Sequence, residues 1–509
     1  ICQEGALKFF SLGPFDEARY RALLEGLEVS EILLSDLENE LTFGAEYYSP
    51  AFLFPFNKLL NSKVVIKPLS DCCSLITDGD HGSADYIDDG VMFILSEAVK
   101  NGWIDAECCR QISEQHARTL KRSQLGKGDV LVTKTGIYFG KSAVVTDEFI
   151  GANTIAHVGV LRLCSGINPY YISTFFNSIY GFSQLRRRGI KATRPEIKLV
   201  EFQDISVGLP STYFQSSIEA IVRGSQAKFD ESIATYSQAE TLLLDALSLT
   251  DFSPSVDNTN VKSFQDSFRV SGRLDAEYYQ PRFDELEAKL ADTHELVSLG
   301  SLLTVNQRGT QPDYADEGLP VINSRHVREG EVLLSDNRLA IVPDKKDALV
   351  IQKGDVLING TGVGTIGRSA PYLHEQEALP DNHVTILRTE KVNPIFLSVY
   401  LNSLAGKYQV DKYFKGSSGQ IELYPNDIAC FYVPVVDESI QNKIAGLVRQ
   451  SFALKKESGR LLDVAKRAVE TAIEQDEQAA LAYIADHSGD VTDMIKPCTH
   501  TAPSKGSKP

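Results

Sequence analysis

The chain has 509 residues, 43% of them hydrophobic, and a formal net charge of −17. That apolar content supports packed cores and excludes disorder as the general state. The acidity argues against a generic polyanion binder, and no stretch approaches the ~18 uninterrupted apolar residues of a membrane span.

Residues 1–40 form an acidic N-terminal extension. The opening Ile1-Cys2-Gln3-Glu4 carries no basic stretch ahead of an apolar one, so it does not read as a secretory leader. It lacks a Met, so the native N-terminus is expected to be missing. The eight cysteines include the neighbours Cys72-Cys73 and Cys108-Cys109 and form no CxxC. Reduced thiols in a cytoplasmic protein are therefore expected.

From about residue 41 the chain contains itself twice. Ala45-Glu46-Tyr47-Tyr48 with Pro50 returns as Ala276-Glu277-Tyr278-Tyr279 with Pro281. Tyr86, Gly90, Ile94, Ser96 and Val99 return as Tyr314, Gly318, Ile322, Ser324 and Val327. Lys127-Gly128-Asp129-Val130-Leu131 returns as Lys353-Gly354-Asp355-Val356-Leu357, and Asn168-Pro169 as Asn393-Pro394. A period this long marks a duplicated domain rather than a solenoid.

Each copy opens with a β-rich stretch, 41–212 and 271–436. Short β-branched runs such as Asp129 to Thr133 and Ala143 to Thr146 are bounded by Gly, Asp and Asn, as strands are. Asn-Pro then starts a helix with Pro at its favoured first position. Each copy closes with a long helix, 213–250 and 437–485, whose apolar residues recur every three or four positions. Ile218, Val222, Phe229, Ile233 and Tyr236 mark the first; Ile440, Ile444, Val448, Leu462 and Val469 mark the second. This predicts an α+β fold in which two repeated β-rich domains are separated by two long antiparallel, coiled-coil-like helices. Residues 251–270 read as a linker and 486–509 as a disordered tail.

Three nucleotide-type motifs nearly appear. Gly136 to Ser142 is one residue short of a P-loop. Its copy, Gly362 to Ser369, has the spacing but Arg368 in place of Lys, and it contains a GxGxxG at Gly362, Gly364 and Gly367. The first is followed by the β-branched run Ser142 to Thr146 rather than a helix, so hairpin turns are expected at both. Asn168-Pro-Tyr-Tyr171 and Asn393-Pro-Ile-Phe396 approach the motif of adenine methyltransferases without its second Pro. Thr77-Asp78-Gly79-Asp80-His81-Gly82 clusters acids with a His. The copy has Asn306-Gln307-Arg308-Gly309 there, which fits a variable recognition loop better than a metal site.

The ordered, duplicated set resembles the DNA-specificity subunits of type I restriction-modification enzymes across residues 28–475. The set comprises the Lys-Gly-Asp-Val-Leu strand with its Gly-rich hairpin, the Asp78 to His81 loop, the Asn-Pro helix, the Gly416 to Gln420 loop and the closing long helix. The resemblance implies a non-catalytic subunit with two target-recognition domains, each reading half of a bipartite site in double-stranded DNA. It implies long helices that dock two adenine methyltransferase subunits, which would carry S-adenosylmethionine, with no cofactor intrinsic to this chain. A restriction nuclease or translocase subunit is a further implied partner, in a phage-defence system without a membrane component.

A base reader needs phosphate anchors and side chains with paired donors and acceptors. The first domain offers Asp80, His81, Lys134, Lys141, Arg186, Arg187, Arg188, Lys191 and Arg194. Gln184 to Lys198 is read as a basic loop against DNA. The second domain offers Arg308, Arg325, His326, Arg368, Lys415, Ser417, Ser418 and Gln420. Solvated surface charge is the plainer reading of any one of them. A methyltransferase or NTPase using a near-miss motif, or a duplicated protein-binding scaffold, remains the alternative.

Overall fold

The computed structural model describes residues 16–33, 44–189, 195–257, 259–342, 349–417 and 419–489. The tail expected at 486–509 lies outside the described residues from 490 on. Packing divides the chain into residues 1–228 with 456–509, and residues 229–455. Both cuts fall within long helices rather than at the linker.

In the first unit the run Val130–Thr133 is a strand at the middle of a four-stranded antiparallel sheet. The order is Cys73–Asp78, Val158–Leu163, Val130–Thr133, Ser142–Val144. Its side chains alternate between two cores, as the two-residue period of a strand requires. Val130 and Val132 face the helix Pro169–Asn177, while Leu131 faces a second core with Ile94, Val99 and Val160. A smaller sheet joins Arg110–Ile112, Tyr86–Ile94 and Asn153–Thr154.

Polar locks fix this frame. Asn168 caps the helix Pro169–Asn177, its side chain accepting from the Tyr170 and Tyr171 amides at 3.0 and 3.3 Å. Its own amide donates to Gln215 Oε1 at 3.0 Å, in the first turns of a long helix. The buried carboxylate of Asp129 takes Arg162 Nε and Nη2 at 2.9 and 2.7 Å and the Gly126 amide at 2.8 Å.

The second unit repeats each of these. Its sheet runs Leu303–Arg308, Val384–Thr389, Val356–Asn359, Ser369–Pro371, in the same order and directions. Val356 and Ile358 face one core, Leu357 the other. Asn393 accepts from the Ile395 and Phe396 amides and donates its own amide to Gln441 Oε1 at 3.0 Å. Asp355 takes Arg388 Nε and Nη2 at 2.7 and 2.8 Å and the Gln352 amide at 2.8 Å. The two β-rich stretches therefore share one topology.

The long helices are Thr212–Ala246 and Glu438–Glu474. In the first unit, Phe214, Ile218 and Val222 pack with Leu461, Ala465, Val469 and Ile473. Ser225 Oγ donates to Ser458 O at 2.8 Å, and Ser211 pairs with Glu477, so the segments run antiparallel. In the second unit, Ala239, Leu243 and Leu247 share a core with Ile444, Ala445 and Val448, and Ser451 Oγ donates to Ser232 O at 2.7 Å. The contact recurs seven residues on in one helix and seven back in the other, the spacing of a heptad. The second long helix does not run to 485. It stops at Glu474, and Asp476 caps a separate helix Glu477–His487 by accepting from the Ala479 amide at 3.0 Å. In the acidic extension a short exposed helix, Glu17–Leu24, is capped by Asp16.

If the two frames are copies, equivalent locks should be worth the same. Asp129→Ala and Asp355→Ala each leave a half-exposed arginine and a part-buried backbone amide without their partner. Each should destabilise its own unit by about 2–3 kcal/mol, below the 3–5 of a fully buried pair. Urea denaturation of the two variants should give matching losses.

Candidate nucleic-acid interface

The strand ends at one edge of each sheet collect the polar residues that the frame does not use. Asp78 is the last residue of its strand, opposite Gly159; Arg308 is the last of its strand, opposite Thr385. Each is followed by a glycine with no room for a side chain. A Cβ at Gly79 would lie 1.8 Å from Thr154 O, and one at Gly309 2.2 Å from Asp381 O. Lys134 and Gly360 are likewise equivalent, their amides donating to His157 O and His383 O at 2.9 and 2.8 Å. The bridges Thr135 to Glu196 and Thr361 to Glu422 complete the match.

On this shared edge the chemistry differs. In the first unit the buried Asp78 carboxylate gathers three donors. Lys134 Nζ lies 3.3 Å from Oδ2, and Arg122 Nη2 and His81 Nε2 lie 3.2 and 3.1 Å from Oδ1. A buried carboxylate requires such partners. Lys134 is itself buried, whereas Arg122 and His81 are about two-thirds exposed, at 64% and 66%. Asp78 thus holds two outward-facing donors in place. Beside it Asp80 accepts from the Gly82 amide at 2.9 Å and from His116 Nε2 at 2.8 Å. Burial works to raise this carboxyl, but the Gly82 amide and His116 hold it below the ordinary carboxylate range.

In the second unit the equivalent position carries the opposite charge. Arg308 Nε donates to Asn382 O at 2.6 Å, Nη1 lies 3.6 Å from Glu422, and the guanidinium stands 5.8 Å from the Tyr424 ring centroid. Lys415 approaches the same ring at 5.7 Å and pairs with Asp427 at 2.7 Å. Thr361 Oγ1 lies 2.7 Å from His383 Nδ1. The hydroxyl of Tyr424 and then Arg308 hold Glu422 low, against burial. Lys415 and Gly416 belong to a small hairpin in which Ser417 pairs with Gln420. Ser418 lies outside the described residues, as do Lys191 and Arg194 in the first unit.

A glycine loop adjoins each edge and ends on a cation, Lys141 in one unit and Arg368 in the other, both half-buried. Lys141 Nζ stands 5.4 Å from the Tyr138 ring centroid, and burial, with Lys100, lowers its pKa. These loops run into strands, Ser142–Val144 and Ser369–Pro371, so the helix N-terminus that a phosphate loop requires does not follow them. Asn168 and Asn393 are engaged as helix caps, with Asn168 Nδ2 also donating to Glu219 at 2.6 Å.

Lys134, expected to contact DNA, is instead buried against Asp78, and two further expectations need correction. Gln184 to Gly189 is not a loop but the end of the helix Ile179–Gly189. Arg187 and Arg188 are 4% and 6% exposed. Arg187 lies 4.2 Å from the Tyr47 ring centroid and donates to Tyr47 O at 2.9 Å; Arg188 donates to Asp204 O at 3.3 Å. Their flat guanidinium groups stack and bond inside the unit, and only Arg186 of the three is half-exposed. His326 is also interior. Its Nδ1 accepts from the Asn323 amide at 3.1 Å, while the exposed Arg325 donates to Asp336 O at 2.9 Å. The residues that sequence reading missed are Arg122, His116, His383, Glu422 and Tyr424. Arg122 stands 44 positions from the Asp78 it serves, a separation with no local signal.

No family model and no curated protein matches this chain. Solved structures do. An S subunit of a type I restriction-modification system from M. genitalium is 10% identical, covering 81% of this chain and 96% of its own, with a TM-score of 0.41. A chain from work on assembly and conformational transition of the type I R-M system is 14% identical, covering 81% and 98%, with a TM-score of 0.30. The HsdS subunit from Thermoanaerobacter tengcongensis is 16% identical, covering 81% and 97%, with a TM-score of 0.28. Among the described residues no helix is long and apolar enough to cross a membrane.

The buried His326 sets a pH test. Burial first, and Arg325 next, push its pKa from 6.5 down to about 4. As pH falls, the unfolded chain takes up this proton first. The contribution is therefore complete above about 6.5 and lost as pH falls toward 4. At ~1.4 kcal/mol per unit the loss reaches about 3 kcal/mol. A His326→Asn variant, starting less stable, should lack that part of the slope in urea titrations between pH 6.5 and 4. Parallel slopes would remove the assignment.

Proposed function

We propose that this chain is the non-catalytic, DNA-reading subunit of a type I restriction-modification system. Each β-rich unit reads one half of a bipartite site in double-stranded DNA. The long helices dock adenine methyltransferase subunits, two in number, and S-adenosylmethionine is held by those partners. A nuclease or translocase subunit completes the restriction form.

One observation carries the reading. Two copies of one frame keep their locks at equivalent positions, yet differ on the same sheet edge, even to a reversal of charge between Asp78 and Arg308. A pair of catalytic or metal sites would be expected to keep its chemistry in both copies. A pair of readers facing two different sequences would keep the frame and change the edge. The edges carry what base reading uses: fixed arginines and lysines, His donors and an exposed tyrosine. In an acidic chain, local cations matter more than the net charge, because screening limits fields to ~8 Å at physiological salt.

The test is affinity for DNA across a range of salt, with the chain in complex with its methyltransferase. Arg122→Ala and Lys415→Ala should each weaken binding. If the lost contact is to phosphate, the slope of log affinity against log salt falls by about one; if to a base, specificity relaxes at one position at a cost of ~1–3 kcal/mol. Failure of the complex to bind any member of a random duplex pool would favour the protein-scaffold alternative.

A further inference from the structure

Each glycine loop carries an apolar side chain at its tip. Ile137 is 90% exposed and Val363 69% exposed. They are equivalent, each being the residue after a glycine in the left-handed region, Gly136 at φ 76° and Gly362 at φ 96°. The rest of the loop differs: Tyr138-Phe139 follows in one copy, Gly364-Thr365-Ile366 in the other. The apolar tip is thus retained where its neighbours are not, although it buries almost nothing within the fold.

The tips are rigidly presented. In the first loop the Gly136 amide donates to Pro195 O at 3.0 Å, Gly140 to Thr133 O at 2.8 Å, and the Thr133 hydroxyl to Tyr138 O. In the second, Ile366 donates to Gly362 O at 2.9 Å, Gly367 to Asn359 O at 2.8 Å, and the Thr365 hydroxyl to Thr361 O at 3.0 Å. Each loop leaves the sheet beside the charged edge and returns on a cation, Lys141 or Arg368.

We propose that Ile137 and Val363 are specificity-determining contacts, each packing on the 5-methyl group of a thymine in the major groove. The proposal rests on the DNA-reading role given above. An apolar side chain gains nothing from phosphate. On an intact duplex the apolar group that marks a base in the major groove is the thymine methyl. Insertion between bases would require unstacking them. One short β-branched side chain offers too little area to offset that. Lys141 and Arg368 close the same loops, and in this proposal they hold the flanking phosphates while the tip reaches the base.

The experiment uses the full chain with its methyltransferase and a duplex selected by that complex from a random pool. Thymines are replaced one at a time by deoxyuridine, which deletes only the methyl. The parent should lose roughly fourfold in affinity at a contacted thymine, the effect of burying about one methyl group. Ile137→Ser and Val363→Ser should each bind the thymine duplex more weakly and become indifferent to deoxyuridine at one position, a different one for each. Their melting temperatures should match the parent, since both side chains stand in water. If DNA is bound but both variants respond to every deoxyuridine as the parent does, this inference fails and the DNA-reading role stands. A selected site without thymine, or unstacking of a 2-aminopurine reporter that depends on Ile137 or Val363, would also overturn it. Absence of any DNA binding removes the DNA-reading role itself.

Discussion

Neither repeat closes its core with its own stretch of chain. The first unit buries Leu461, Ala465, Val469 and Ile473, contributed from near the C-terminal end. The second buries Ala239 and Leu243 from the helix that closes the first repeat, and Leu247 from the turn that ends it. The apolar stripe of each long helix is therefore shared between the two cores, and every other feature depends on that sharing. The amide locks from Asn168 to Gln215 and from Asn393 to Gln441 tie each β-rich stretch to the start of its helix. A change in helix register would break both, since each lock uses one side chain at one turn. Each unit also holds one serine contact between the helices, and the two contacts lie at heptad spacing in the sequence.

On that fixed frame the sheet edges are free to differ. Gly79 and Gly309 must remain glycine because neighbouring carbonyls occupy the space of a side chain. The residue just before each is unconstrained in charge, and it is Asp in one copy and Arg in the other. The consequences spread outward. Asp78 recruits Lys134, Arg122 and His81, whereas Arg308 recruits Glu422 and stands over Tyr424. The two edges thus differ in charge and partners while the cores behind them keep the same strands. This is the economy expected of a scaffold whose two copies meet different partners.

Much of this was legible in the sequence because it is periodic or local. The duplication, the three-four spacing of the long helices and the Asn-Pro caps all depend on residues close together or on a repeated pattern. The glycine loops read as hairpin turns for the same reason. What the sequence hid is long-range. A run of three arginines looks like a solvated patch, but on a helix consecutive residues point 100° apart, and two of the three turn inward onto Tyr47 and Asp204. His326 sits beside Arg325 in sequence but is interior, which only the packing of Asn323 and Asn337 around it reveals. The hub at Asp78 joins residues from three segments, around 78–81, 122 and 134. The break at Asp476 is a single capping side chain inside an otherwise helical pattern.

One frame, present twice, is proposed to read two different half-sites. The direct measurement is the consensus selected from random duplex DNA by the complete complex, compared with the consensus selected by Arg122→Ala and by Arg308→Ala. Two short conserved blocks separated by a spacer of fixed length are expected. Arg122→Ala should relax one block only, and Arg308→Ala the other only. A single continuous block, or the same positions relaxed by both variants, would contradict it.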